Sequence, residues 1–121
     1  MLIDAERAGA ALLSTLGNEV AAISVITVSE LMHGVHRATA AHEPRRRAFV
    51  EGLLSTFIAI PVTDAVALEH ARLWALLEEQ SSMIGPHDLW IAATAVAHSL
   101  GIVTRNAAEF ARVPGLRVVT P

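Results

Sequence analysis

Val20-Ala21-Ala22-Ile23-Ser24-Val25-Ile26-Thr27-Val28-Ser29-Glu30-Leu31 runs from an apolar stretch straight into a helix-opening pattern. Residues 20–24 have the length and apolarity of a buried strand, with Ser24 as its stop. Thr27 followed three residues later by Glu30 has the form of a capping box, each side chain satisfying a backbone N–H at a helix start. A strand that feeds directly into a helix is one βα unit, and the same alternation continues on both sides. Upstream, residues 5–16 are rich in Ala and Leu and read as a helix ending near Gly17. Downstream, the helix opened by Thr27 runs toward Arg37, and His42-Glu43-Pro44 breaks the chain. Pro44 suits the first turn of a helix through about Leu54. Residues 57–62 form a second apolar strand, and Thr63 or Asp64 caps a long helix with Val66, Leu68, Leu73, Trp74 and Leu77 as core candidates. After a loop at 81–86, Pro86 starts a helix through about Ser99, closed by Gly101 in the C′ position. Residues 102–104 make a third strand, 106–110 a short turn or helix, and 116–119 a last strand behind the turn Val113-Pro114-Gly115. Helices alternating with short apolar strands predict an α/β fold with a mainly parallel central sheet flanked by helices.

Composition sets limits on what such a fold does. A chain of 121 residues is one domain. At 53% hydrophobic and with only three Phe, two Trp and no Tyr, it has an aliphatic core. There is no cysteine, which excludes disulfides and thiolate metal sites. No apolar run is long enough to span a membrane, and the N-terminus lacks the basic start of a signal peptide, so a cytoplasmic protein is expected. The net charge of −3 neither requires nor forbids nucleic acid, and all nine basic residues are Arg. Any site that needs a lysine is therefore ruled out.

Carboxylates recur where this pattern expects the strand-to-helix turns. In parallel sheets ligands collect beyond the carboxyl ends of the strands, and Glu30, Asp88 and Asn106 each fall just after a strand or at a helix start. Oxygen ligands from three segments at one edge point to Mg²⁺ and phosphodiester chemistry. Each residue also has a plainer reading. Asp88 in a first turn complements the helix dipole, worth roughly 0.3–1 kcal/mol. Its helix, however, is apolar nearly all round through Leu89, Trp90, Ile91, Ala92 and Ala93, and a carboxylate at a buried helix end needs a cation or several donors. Glu30 closes the capping box with Thr27 or reaches an ion, and the two roles conflict. Asn106 is a turn residue or a ligand, and Glu109 a solvated helix residue or a further acid. The six histidines (33, 36, 42, 70, 87 and 98) form no zinc pattern and read as structural or surface residues, with His87 beside Asp88. Arg45-Arg46-Arg47, the one basic run, is a solvated helix face or a contact for RNA or a partner.

Three segments taken together carry a resemblance. Ile23-Ser24-Val25-Ile26-Thr27-Val28-Ser29-Glu30-Leu31-Met32-His33-Gly34, then Ile84-Gly85-Pro86-His87-Asp88-Leu89-Trp90-Ile91-Ala92-Ala93-Thr94-Ala95, then Val103-Thr104-Arg105-Asn106-Ala107-Ala108-Glu109-Phe110-Ala111-Arg112-Val113-Pro114-Gly115-Leu116 closely resemble PIN-domain proteins, in particular the VapC toxins of VapBC toxin–antitoxin modules. The likeness spans almost the whole chain, in order and with suitable spacing. It implies a PIN fold and an endoribonuclease dependent on Mg²⁺ or Mn²⁺, with Glu30, Asp88 and Asn106 as catalytic metal ligands and Glu109 where many members have a further acid. It also implies a homodimer and a VapB-type antitoxin.

One part of the family pattern is missing. The family opens with a strand ending in Asp-Thr-Asn or Asp-Thr-Ser, whereas Met1-Leu2-Ile3-Asp4-Ala5-Glu6-Arg7 matches only the segment beyond that strand. On that alignment the first acid falls upstream of Met1 and the domain, residues 1–121, lacks its N-terminal strand. A GTG valine codon taken as a start would produce this, and upstream DNA without an in-frame strand and Asp would refute it. An empty slot would leave buried backbone groups unpaired at roughly 1–3 kcal/mol each, giving a chain that is unstable, rescued by a partner or catalytically poor. In the other register Leu2-Ile3 is the strand and Asp4 the acid, but the Thr-Asn or Thr-Ser is absent and two apolar residues are few for a buried strand. Two rivals remain. One is a catalytically impaired PIN-like protein that binds antitoxin or RNA without cleaving. The other, a phospho-receiver or phosphatase, is discounted because such sites use a lysine.

Overall fold

The computed structural model describes residues 1–5 and 21–121. Five short strands form one sheet: β1 (Leu2–Ile3), β2 (Ala22–Ser24), β3 (Ile58–Ile60), β4 (Ile102–Val103) and β5 (Val118–Val119). Their order is β3-β2-β1-β4-β5, and every pairing is parallel. The helices are α1 (Val25–Arg37), α2 (Glu43–Thr56), α3 (Asp64–Glu79), α4 (Pro86–Ala97) and a single turn, α5 (Ala107–Phe110). The helix expected at residues 5–16 lies outside the described residues.

Side chains alternate across the pleat, as period-two geometry requires. Leu2, Ala22 and Ile102 point to one face and pack with Val66, Leu73 and Leu77 of α3 and Leu89 and Ala92 of α4. Ile3, Ile23 and Val103 point to the other and pack with Leu31 and Val35 of α1 and Val50 of α2. Helices therefore cover both faces, which is why the central strands carry no polar residue until their ends. No helix among the described residues is long and apolar enough to cross a membrane.

The central slot expected to stand empty is filled by Leu2–Ile3, both fully buried. Two residues suffice because the strand has neighbours on both sides. The Leu2 N–H donates to Gly101 O at 2.7 Å, the Asp4 N–H to Val103 O at 2.9 Å, and Met1 O accepts from the Ala22 N–H at 3.0 Å. The register with Asp4 at the end of the first strand is the one observed.

Three local expectations are also corrected. The cap of α1 is Ser24, whose Oγ accepts from the Ile26 N–H at 3.0 Å, so α1 begins before Thr27 and Thr27–Glu30 is not a capping box. On α3, Val66, Leu73 and Leu77 are buried, but Leu68 is 74% and Trp74 49% exposed. At about 100° per residue Leu68 lies roughly opposite Val66. At the end of α4 it is Ser99 that takes the left-handed conformation, with φ 54°. Gly101 serves close approach instead: a Cβ there would sit 3.1 Å from both Met1 Sδ and Arg117 Nε.

Candidate active site

In a parallel sheet the carboxyl ends of all strands share one edge, and helices that return from a strand begin there. Asp4 closes β1 at that edge and is fully buried. Thr104 closes β4, equally buried, and its hydroxyl donates to Asp4 Oδ2 at 2.7 Å. The same hydroxyl oxygen accepts the Asn106 N–H at 3.0 Å. Asn106 in turn donates from Nδ2 to Glu109 Oε2, and Glu109 Oε1 accepts the Gly85 N–H at 2.7 Å. One chain of hydrogen bonds thus ties the ends of β1 and β4 to the loop that opens α4.

Asp88 stands in the first turn of α4 at 3% exposure. Gly85 explains how it fits. A Cβ at Gly85 would lie 3.4 Å from Glu109 Oε1 and 3.7 Å from Asp88 Oδ2, so the missing side chain leaves both carboxylates facing one small space. Glu30 comes from α1. With Ser24 as the cap, Glu30 is not folded back on its helix start, and its side chain, 10% exposed, faces His87 Nδ1 at 3.7 Å. Glu30, Gly85, Pro86, His87 and Asp88 line an open cleft of ≈ 210 Å³.

The four residues favoured from sequence (Glu30, Asp88, Asn106 and Glu109) therefore belong to this edge, and so does Asp4, which the sequence offered only in the less favoured register. Sequence reasoning misses Thr104 and Gly85. A signal exists for Thr104, a polar residue ending an apolar strand just before Asn106. For Gly85 it is weaker, since Gly-Pro ahead of a helix reads simply as a helix start.

The donors are carboxylate and amide oxygens with no thiolate, the chemistry of a hard divalent cation such as Mg²⁺ or Mn²⁺. As they stand, no three Asp, Glu or His side chains among the described residues converge closely enough to share an ion. Glu109 is turned toward Gly85 and Asn106. Coordination by three of these side chains would therefore need a side-chain rotation.

The model of the PIN domain family matches residues 1–116. Ribonuclease VapC1 of Rickettsia felis is 38% identical over 101 residues, covering 81% of this chain and 74% of that protein. The chain is a PIN-domain protein of the VapC family. A second VapC, the tRNA(fMet)-specific endonuclease of Salmonella typhimurium, is 34% identical over 96 residues, 79% of this chain and 71% of its own. In three dimensions this VapC-family chain is similar to VapBC-5 of Mycobacterium tuberculosis, a member of the VapBC toxin–antitoxin systems. The TM-score is 0.83 at 31% identity, over 98% of this chain and 94% of that one.

Proposed function

We propose that this chain is the toxin of a toxin–antitoxin pair, a cytoplasmic endoribonuclease that hydrolyses RNA phosphodiester bonds with Mg²⁺ or Mn²⁺. A single PIN domain over residues 1–121 carries the activity, as a homodimer restrained by a VapB-type antitoxin. The observation that carries the reading is the delivery of Asp4, Asp88, Glu30 and the Asn106–Glu109 pair by separate segments to one sheet edge. Relatives named as a ribonuclease and as a tRNA(fMet)-specific endonuclease support it, and tRNA(fMet) is the first substrate to try.

Asp88, Glu30, Asn106 and Asp4 would hold the ion. A bound divalent cation supplies an activated water and neutralises charge on the leaving oxygen. The remaining work falls to the chain itself. Thr104 fixes the carboxylate of Asp4, and Glu109 holds the amide of Asn106 and the backbone of Gly85. Glu30 and the exposed His87 flank the mouth through which a phosphate enters. The test is gel-resolved cleavage of tRNA(fMet) with Mg²⁺, with Mn²⁺ and with EDTA, for the chain and for Asp88→Asn. Products are expected only with metal and only with Asp88 intact; cleavage in EDTA, or full cleavage by Asp88→Asn, refutes the proposal.

One observation favours the second reading, a catalytically impaired PIN-like protein that binds antitoxin or RNA. It is the lack of any three converging ligand side chains among the described residues. Calorimetric titration with Mn²⁺ separates the two: saturable uptake that Asp88→Asn abolishes supports the nuclease, and no uptake supports the binder.

A further inference from the structure

Three cavities stand next to one another, each sharing lining residues with the next. The acidic cleft shares Glu30 with a smaller cavity of ≈ 130 Å³ that also touches Gly34, Arg46 and Phe49. That cavity shares Arg46 and Phe49 with a third, of ≈ 320 Å³, completed by His42 and Arg45. The track thus begins at carboxylates and ends at two guanidiniums and an aromatic ring.

The arginines of this run differ from one another. Arg47 pairs with Glu43 and, more loosely at 3.9 Å, with Glu51. Arg45 and Arg46 make no ion pair with any described residue, and both are exposed. They stand near the N-terminus of α2, where the helix dipole disfavours cations and favours anions. Arg46 is laid back over α1, its Nη1 3.2 Å from where a Cβ of Gly34 would be. Gly34 is one helical turn beyond Glu30 on the same face of α1, so the Arg46 guanidinium lies about a turn from the acidic cleft. Phe49, one turn beyond Arg45 and Arg46 on α2, is 59% exposed. A large aromatic ring in water beside two guanidiniums that pair with no described residue is poor protein surface but suits a single-stranded nucleotide, whose phosphate takes the cations and whose base takes the ring.

We infer that Arg45, Arg46 and Phe49 form a substrate-positioning track for single-stranded RNA, in which the guanidiniums hold phosphates flanking the scissile one and Phe49 stacks a base. The inference rests on the RNA-cleaving reading of the acidic cleft. It differs from that reading in predicting binding that needs neither metal nor Asp88.

The experiment is fluorescence anisotropy of a short labelled single-stranded RNA with the full chain in EDTA, over a range of salt concentrations. Loss of two phosphate contacts in Arg45→Ala/Arg46→Ala should flatten the log–log salt slope by about 1.4, at about 0.7 per contact for single strands. Phe49→Ala should weaken binding roughly tenfold and leave the slope unchanged. Arg45→Lys/Arg46→Lys keeps both charges and should restore the slope, which a merely structural role would not require. An unchanged slope in the alanine pair overturns the track. So does an oligo-glutamate peptide that binds through Arg45 and Arg46 while the RNA does not. If RNA binds through these residues but neither Mg²⁺ nor Mn²⁺ triggers cleavage, the track stands and the nuclease reading fails. Cleavage with an undiminished slope in the alanine pair means the opposite: the nuclease reading stands and the track fails.

Discussion

Replacing Thr104 by Val tests how the site is built. The two side chains have nearly the same shape, so the change removes a hydroxyl without opening a cavity. That hydroxyl donates to Asp4 Oδ2 at 2.7 Å and accepts the Asn106 N–H at 3.0 Å. Thr104 and Asp4 are both fully buried, so water does not replace the donor. A hydrogen bond to a charged group contributes about 1.5–3 kcal/mol. Asn106 is only half-buried, and water can take its N–H, which adds about 1 kcal/mol at most. The expected loss is therefore about 1.5–4 kcal/mol, a large fraction of the roughly 5–15 kcal/mol that holds a domain together. Urea unfolding followed by circular dichroism should show the midpoint falling by about 1–2 M at typical slopes. Thr104→Ser, which keeps the hydroxyl, should lose only about 1 kcal/mol for its methyl group. A midpoint shift of less than about 0.3 M in Thr104→Val would mean that Asp4 is not held by Thr104 at the end of β1.

Other substitutions examine the packing and the caps. Leu73→Ala, at a fully buried position on α3, should cost about 2–5 kcal/mol. Leu68→Ala, at 74% exposure on the same helix, should stay within about 0.5 kcal/mol; comparable losses by chemical denaturation would overturn the assignment of the buried face. Ser24→Ala should destabilise by about 0.5–2 kcal/mol through loss of the α1 cap, and equal stability of variant and parent would return the cap to Thr27. His70 stacks on Trp90 with ring centroids 3.5 Å apart, and burial lowers its pKa below the ordinary 6.5. The unfolded chain then takes up the proton first, so this contribution is complete above about pH 6.5 and fades as the pH falls. Unfolding at pH 7.5 and 5.5 should show a larger acid loss for the parent than for His70→Phe, and equal losses would contradict the shift.

The alternation of helices and apolar strands is legible in the sequence because each element carries its own signal. Ile23 closes a buried run before Ser24, Thr63 caps α3, and Leu89 to Ala95 leaves α4 no polar face. The burial of Asp88 follows from that last pattern. Whatever depends on a distant partner cannot be read locally. Leu2–Ile3 has too few residues to announce a strand, and only Gly101, Val103 and Ala22 make it one. The role of Asp4 is hidden for the same reason, since its partner Thr104 is 100 residues away. At Glu30 a competing local rule misleads. Thr-x-x-Glu fits a capping box wherever it occurs, and only the preceding Ser24 decides that the helix has already begun. On α3, apolar composition alone suggests burial at Leu68 and Trp74, although the stripe of Val66, Leu73 and Leu77 already leaves them off the buried face.

The hydrogen bond between Asp4 and Thr104 also sets a clock. Asp4 leaves the ribosome 100 residues ahead of Thr104, a delay of about 5–20 seconds at ordinary rates of synthesis. Until then the slot beside β1 has no β4, and the edge that gathers the carboxylates does not exist. The acidic edge closes only after Thr104 has been made, so a chain stopped short of Thr104 carries Asp4 but no acidic edge.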